Sequence, residues 1–194
     1  MNLKELYPIV IKKLKSELSP KMFYHSVDHT LDVYCATNRI AKSENLDENE
    51  LIILKTAALF HDIGLIKKYK DHEDVSAEIA REFLPEYDYS PDEIDLISSI
   101  IMKTKLPQSA ENKLEKILCD ADLDYLGRSD FYMISHKLRH EWEELGFWHS
   151  SLKEWYQLQV KFLSEHQYYT KTAIDLRQNG KLKNIQEIKN LLNF

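Results

Sequence analysis

Residues 50–64 read ELIILKTAALFHDIG, a run that is apolar almost all the way round a helix and then stops on His61 and Asp62. An amphipathic helix can rest on a surface, but a helix apolar on every face has to be enclosed by other elements. This segment therefore demands partners on all sides. Asp47 is placed to cap it, and Glu50 three residues later completes a capping box. Around it helical periodicity dominates. Leu3, Leu6, Val10, Leu14 and Leu18 form one amphipathic face that ends at Ser19-Pro20. Further helices are predicted at about 21–41, 73–84, 91–103, 111–126, 129–145, 151–165 and 170–192. The third of these opens on Ser90 as cap with Pro91 at the first helical position. Four glycines and five prolines supply too little turn chemistry for a sandwich or barrel of many short strands. The expected fold is all-α, a single compact multi-helix bundle over residues 1–194. Its core spans about 20–130, with the C-terminal helices 131–194 packed on it.

The same punctuation narrows the chemistry. Gly64, Gly127, Gly146 and Gly180 are isolated, so there is no phosphate-cradling loop and no dinucleotide fingerprint. No Gly-x-Ser-x-Gly elbow is present for a serine hydrolase. A formal charge of −6 and no long basic run argue against stable nucleic-acid binding, while leaving a nucleotide-sized substrate open. No apolar stretch approaches the roughly 20 residues of a membrane span, and the N-terminal segment lacks a signal-peptide core. Cys35 and Cys119 have no metal-type spacing and read as reduced core thiols, so a cytoplasmic protein is expected. Any enzymatic chemistry must then come from histidines and carboxylates.

Three stretches gather those residues. MFYHSVDHTLDVY, residues 22–34, sets His25 and His29 four apart, and Asp28 and Asp32 likewise, so each pair shares a helical face. A solvated polar face explains that stretch as well as a site does. At the end of the apolar helix, His61 and Asp62 are adjacent where burial costs several kcal/mol unless each is paired or bound to a metal. In EKILCDADLDYLGR, Asp120, Asp122 and Asp124 alternate through the middle of the predicted helix, with Asp122 on the inward stripe of Leu118 and Leu126. A buried carboxylate without a cation titrates upward and loses its charge. A divalent metal removes that problem.

His29, His61–Asp62 and Asp122 together resemble the H…HD…D pattern of the HD superfamily of metal-dependent phosphohydrolases, over roughly residues 20–130. The AALF before the pair, the Ile-Gly after it and the Ala-Asp-Leu triplet at 121–123 belong to the resemblance. It implies one divalent ion (Mn, Fe, Mg, Co or Zn) held by His29, His61, Asp62 and Asp122. YHSVDHTLDV is also similar to the Tyr-His-Asn-x-x-His-Ala-x-Asp-Val segment of cyclic-nucleotide phosphodiesterases. That similarity makes His25 the general acid, counted with Asp62 as catalytic. Binuclear members carry further histidines between the pair and the last aspartate; here the interval offers only His72, and SSIIMKTKLPQ has none. One tightly held metal is expected, with His72 and Glu73 either a weaker second-ion or substrate site or, equally, His72 only starting a helix and bonding a loop.

Lys67, Lys68, Lys103, Lys105 and Arg128 flank the site in sequence as candidates for phosphate oxygens, although lysines near helix ends are commonly just solvated. The aromatic-rich helices with His140, Trp148, His149, His166 and Tyr168 suit a lid, a base-stacking wall or plain core. The implied activity is hydrolysis of a phosphomonoester or phosphodiester of a nucleotide or related small molecule. Two rivals stand beside it: a non-catalytic metal-binding HD sensor or regulatory domain, and a purely structural helical protein.

Overall fold

The structure, a computed structural model, describes residues 1–193. Among them are nine α-helices: α1 (Leu3–Glu17), α2 (Val27–Ser43), α3 (Glu48–Phe60), α4 (His72–Phe83), α5 (Pro91–Met102), α6 (Lys113–Asp122), α7 (Phe131–Glu144), α8 (Leu152–Glu165) and α9 (Lys171–Leu192). Single 3₁₀ turns occupy Ile63–Ile66, Leu84–Tyr87 and Asp124–Gly127, and no strand occurs among the described residues. The all-α expectation holds. Both expected caps form: Asp47 with Glu50 opens α3, and Ser90 with Glu93 opens α5. No helix among the described residues is long and apolar enough to cross a membrane.

The chain divides into two compact units. The first, Met1–Ser19 with His25–Asp122, contains α1 to α6. Its axis is α3, where Leu54, Ala57, Ala58, Leu59 and Phe60 are fully enclosed. Helices α1, α2, α5 and α6 of the same unit pack around it. Each large side chain buried this way stabilises by roughly 1.5–3 kcal/mol. Behind α3, Gly64 lets α4 close in. A Cβ there would meet the His72 carbonyl oxygen at 2.1 Å, and the Gly64 N–H donates to Ser76 Oγ at 2.8 Å.

The second unit, Pro20–Tyr24 and the chain from Leu123 onward, contains α7, α8 and α9. Tyr24, Tyr125, Leu126, Phe131, Leu163 and Ile188 form its core. Trp155 is fully buried with its indole N–H on Ser135 Oγ at 3.0 Å. Trp142 and Trp148 pack on it at ring distances of 5.7 and 6.1 Å. The fully buried Glu141 accepts the Tyr24 N–H at 2.9 Å. Gly127 and Gly180 let the 3₁₀ turn lie directly on α9: a Cβ on Gly180 would stand 2.0 Å from the Gly127 carbonyl oxygen.

Three expectations need correction. The second helix begins at Val27 rather than near residue 21, with Ser26 extended as its cap (φ −94°, ψ 174°). His25 therefore precedes the helix and does not share its face with His29. The cause lies far off in sequence, since residues 20–24 belong to the second unit, where Glu141 takes the Tyr24 N–H. Next, α6 stops at Asp122, so that residue ends a helix instead of lying mid-helix. Asp120 and Asp124 are the more enclosed carboxylates, and Asp124 is taken by Arg177 at 2.7 and 3.0 Å. Finally, Cys119 is buried but Cys35 is exposed, on the outer side of α2.

Candidate metal centre

The last turn of α3 delivers His61 as its C-cap, with Asp62 next in the chain. The His61 Nδ1–H donates to the Ala58 carbonyl at 2.8 Å. A carbonyl only accepts, so this bond keeps a proton on Nδ1 and turns Nε2 toward the site, where a bound ion would take its lone pair. His29, on the first turns of α2, brings its Nε2 to 3.3 Å from His61 Nε2. Asp122 Oδ1 lies 3.2 Å from His29 Nε2 and 3.6 Å from His61 Nε2. Asp62 Oδ2 lies 3.4 and 3.2 Å from the same two nitrogens. All four residues belong to the first unit.

These spacings test whether a metal fits. Donors about 2.1 Å from one ion stand roughly 3.0–3.4 Å apart in tetrahedral or octahedral arrangements, and the observed separations run from 3.2 to 3.6 Å. Donor atoms of His29, His61 and Asp122 all lie within 4.8 Å of one another. Asp62 Oδ2 is buried and makes no hydrogen bond, which is costly for a carboxylate oxygen without a cation. Two imidazoles and two carboxylates suit a borderline-to-hard divalent ion. The donor set fits.

A family model for the HD domain matches residues 26–124, about half of the chain. The chain belongs to the HD-domain family. That membership supports a metal-dependent hydrolase. An uncharacterized protein of Clostridium beijerinckii is 38% identical over 91 residues, covering 45% of this chain and 57% of that protein. The chain thus spans a little over half the length of that relative. A crystal structure described as a predicted HD superfamily hydrolase, from an uncultured Thermotogales bacterium, has the same fold. It aligns with a TM-score of 0.66 at 22% identity, covering 100% of this chain and 98% of that one.

Around these candidate donors the HD domain is strongly polarised. Burial opposes charge on His61, but the adjacent Asp62 and Asp122 carboxylates overcome it and raise its pKa well above the usual imidazole range. Burial likewise opposes ionisation of Asp122, yet hydrogen bonds from His29 and His61 hold it down at about 2. Asp62 is driven well below the carboxylate range by His61 and His72 against the same burial penalty. His72, the first residue of α4, donates Nε2–H to Asp62 Oδ1 at 3.0 Å and Nδ1–H to the Tyr69 carbonyl at 2.9 Å. Both partners only accept, so both ring nitrogens carry protons. Glu73 Oε2 stands 3.7 Å from His72 Nδ1.

His25 is gathered to the same place, with ring centroids 6.0 Å from His29 and 5.8 Å from His72. The cations fare differently. Lys105 bridges Asp71 and Asp74 at 2.8 and 3.1 Å, and Lys103 pairs with Glu111 at 2.9 Å. Lys67 and Lys68 keep exposed side chains on the turn after the His61–Asp62 pair. Arg128 belongs to the second unit and pairs there with Asp130 and Asp124. The aromatic segments 140–149 and 166–168 also belong to that unit, where His140 packs on Phe23 and Tyr168 bonds the Leu123 carbonyl. Sequence reasoning missed Tyr69, whose hydroxyl lies 3.4 Å from His25 Nδ1. Its one signal is an aromatic ring standing alone in the charged turn KKYKD.

Proposed function

We propose that this HD domain is a metal-dependent phosphohydrolase acting on a phosphomonoester or phosphodiester of a nucleotide or related small molecule. The observation that carries the reading is the cluster of His29, His61 and Asp122, with Asp62 Oδ2 against both imidazoles and a further histidine, His25, beside them. His29, His61, Asp62 and Asp122 would hold the ion. An ion held there neutralises charge building on phosphoryl oxygens and lowers the pKa of a water molecule that it binds. Asp62 serves twice, as a donor through Oδ2 and as the anchor for His72 through Oδ1. With both nitrogens protonated and engaged, His72 is better suited to orienting Asp62 and adding positive charge than to binding a second ion. His25 protonates the departing oxygen. Lys67 and Lys68 are the cations best placed to meet further phosphate oxygens, because Lys103 and Lys105 already hold carboxylates. The similarity of residues 24–33 to cyclic-nucleotide phosphodiesterases supports a nucleotide.

The test is hydrolysis by the full chain loaded with each of Mn²⁺, Fe²⁺, Mg²⁺, Co²⁺ and Zn²⁺, on paired esters. A nitrophenolate leaves without help, whereas an alkyl or ribose oxygen needs a proton, and a general acid contributes roughly 10²–10⁴-fold. His25→Ala should keep its metal, retain much activity on nitrophenyl phosphoesters and lose most on alkyl esters. No turnover by the wild type with any ion would replace this reading with a metal-binding sensor module.

A further inference from the structure

His25 lies ahead of the α2 cap, so no helical backbone fixes its ring. A proton donor that must meet one oxygen loses rate for each misplacement. The turn at residues 67–71 brings a side chain against this ring: Tyr69 Oη is 3.4 Å from His25 Nδ1, and the two rings meet edge to face at 5.5 Å and 88°. The oxygen–nitrogen distance is long, as catalytic hydrogen bonds often are before substrate binds.

The turn itself is pinned. The N–H groups of Lys67 and Lys68 donate to the Gly64 carbonyl at 2.9 and 3.1 Å. The Tyr69 carbonyl receives His72 Nδ1–H, and His72 is in turn bonded to Asp62. Lys105 ties Asp71 to Asp74. Tyr69 is thus presented from backbone anchored to the metal donors. A tyrosine that only covered the turn would need none of this.

We propose that Tyr69 is a positioning residue: its hydroxyl holds the Nδ1 edge of His25 and leaves the Nε2 edge for the departing oxygen of the substrate. The inference rests on the general-acid reading of His25. Protonated His25 donates Nδ1–H to Tyr69 Oη and Nε2–H to the leaving oxygen. As a water oxygen bonds to phosphorus and loses a proton to solvent, the ester P–O bond breaks, its electron pair goes to the departing oxygen, and that oxygen takes the Nε2 proton. The proton retained on Nδ1 stays with Tyr69, and Nε2 is reprotonated from solvent. Tyr69 therefore selects which of the two protons leaves.

Tyr69→Phe keeps the ring and removes the hydroxyl. In the Zn²⁺-loaded, ¹⁵N-histidine-labelled full chain, His25 (assigned by its loss in His25→Ala) should show the Nδ1 shift of a hydrogen-bonded nitrogen. In Tyr69→Phe that Nδ1 shift should move, with metal content unchanged. The rate on an alkyl phosphoester should fall roughly three- to tenfold, the range of one weakened hydrogen bond, with a smaller fall on a nitrophenyl ester. An unchanged His25 spectrum in Tyr69→Phe overturns the proposal. So does loss of metal, which would place the role of Tyr69 in the His72–Asp62 support. A shifted spectrum with His25→Ala losing rate equally on both esters upholds the Tyr69–His25 contact and defeats the acid reading instead.

Discussion

At the scale of single residues, two histidines use one local device to opposite ends. His61 and His72 each donate Nδ1–H to the carbonyl three residues earlier, at 2.8 and 2.9 Å. His61 points Nε2 at His29, Asp62 and Asp122, where a bound ion would take its lone pair, whereas His72 presents a second proton to Asp62. Removing a donor should therefore differ from removing an orienting partner. Asp122→Asn is expected to abolish tight metal binding, and His72→Gln to weaken it by roughly 10–100-fold, as outer-shell losses do. Asp120→Asn, at a fully buried carboxylate, should lower thermal stability while metal content persists. Elemental analysis and a metal titration separate the three, and metal retained in Asp122→Asn would show that the wrong carboxylate was chosen. The pH dependence has a definite sign. Burial opposes the charge on His72, but the hydrogen bond and field of Asp62, helped by Glu73, raise its pKa to about 9. In the metal-free protein this stabilisation is complete below about pH 6.5, the unfolded value, and is lost as pH rises through about 9. Its size is at most about 3 kcal/mol, and the matching depression of Asp62 is the same contact and is not added. Urea midpoints of chelator-treated protein should fall between pH 6 and 9 relative to His72→Gln. A parallel course for the two proteins would contradict the assignment.

Among elements, what was legible in the sequence was what is local. The caps expected for α3 and α5 involve residues three apart, and the enclosure of α3 follows from its own composition. The four candidate donors were legible because their types and neighbours repeat a known pattern, and the structure gathers their side chains. The phase of His25 and the end of α6 were not. Each is decided by a bond to a distant residue, Tyr24 to Glu141 and Asp124 to Arg177, and helical periodicity carries no trace of either. Tyr69 escaped for a related reason, since a single aromatic residue in a turn has no period to betray it. Packing of elements also reverses an ordinary rule. Replacing an interior helical glycine by alanine normally stabilises by about 1 kcal/mol. Gly180 lies within α9, yet an added Cβ would meet the Gly127 carbonyl oxygen at 2.0 Å. Gly180→Ala should therefore destabilise, by roughly 1–3 kcal/mol, as overpacking does. A melting temperature equal to or above that of the wild type would show that α9 and the 3₁₀ turn can separate without cost.

For the whole molecule, the path of the chain bears on cooperativity. It passes between the two units after residues 19, 24 and 122, so Pro20–Tyr24 serve the second unit while both their ends are held by the first. We propose that residues 1–194 behave as one domain. Freeing Tyr24 from Glu141 requires the segment to move against two covalent anchors, and forming the second unit alone requires closing a loop of about a hundred residues first. Calorimetry of the full chain should show one cooperative transition whose midpoint rises with bound metal. Two resolved transitions, only one of them sensitive to metal, would divide the protein into two domains. The tryptophan cluster adds a consequence of an optical kind. All three indoles, Trp142, Trp148 and Trp155, belong to the second unit, and the four candidate metal donors to the first. Tryptophan emission thus originates in one unit, while an ion would be held in the other. Any change in tryptophan colour or brightness during a divalent-ion titration is a message received from the other unit, and its amplitude measures how far that message carries.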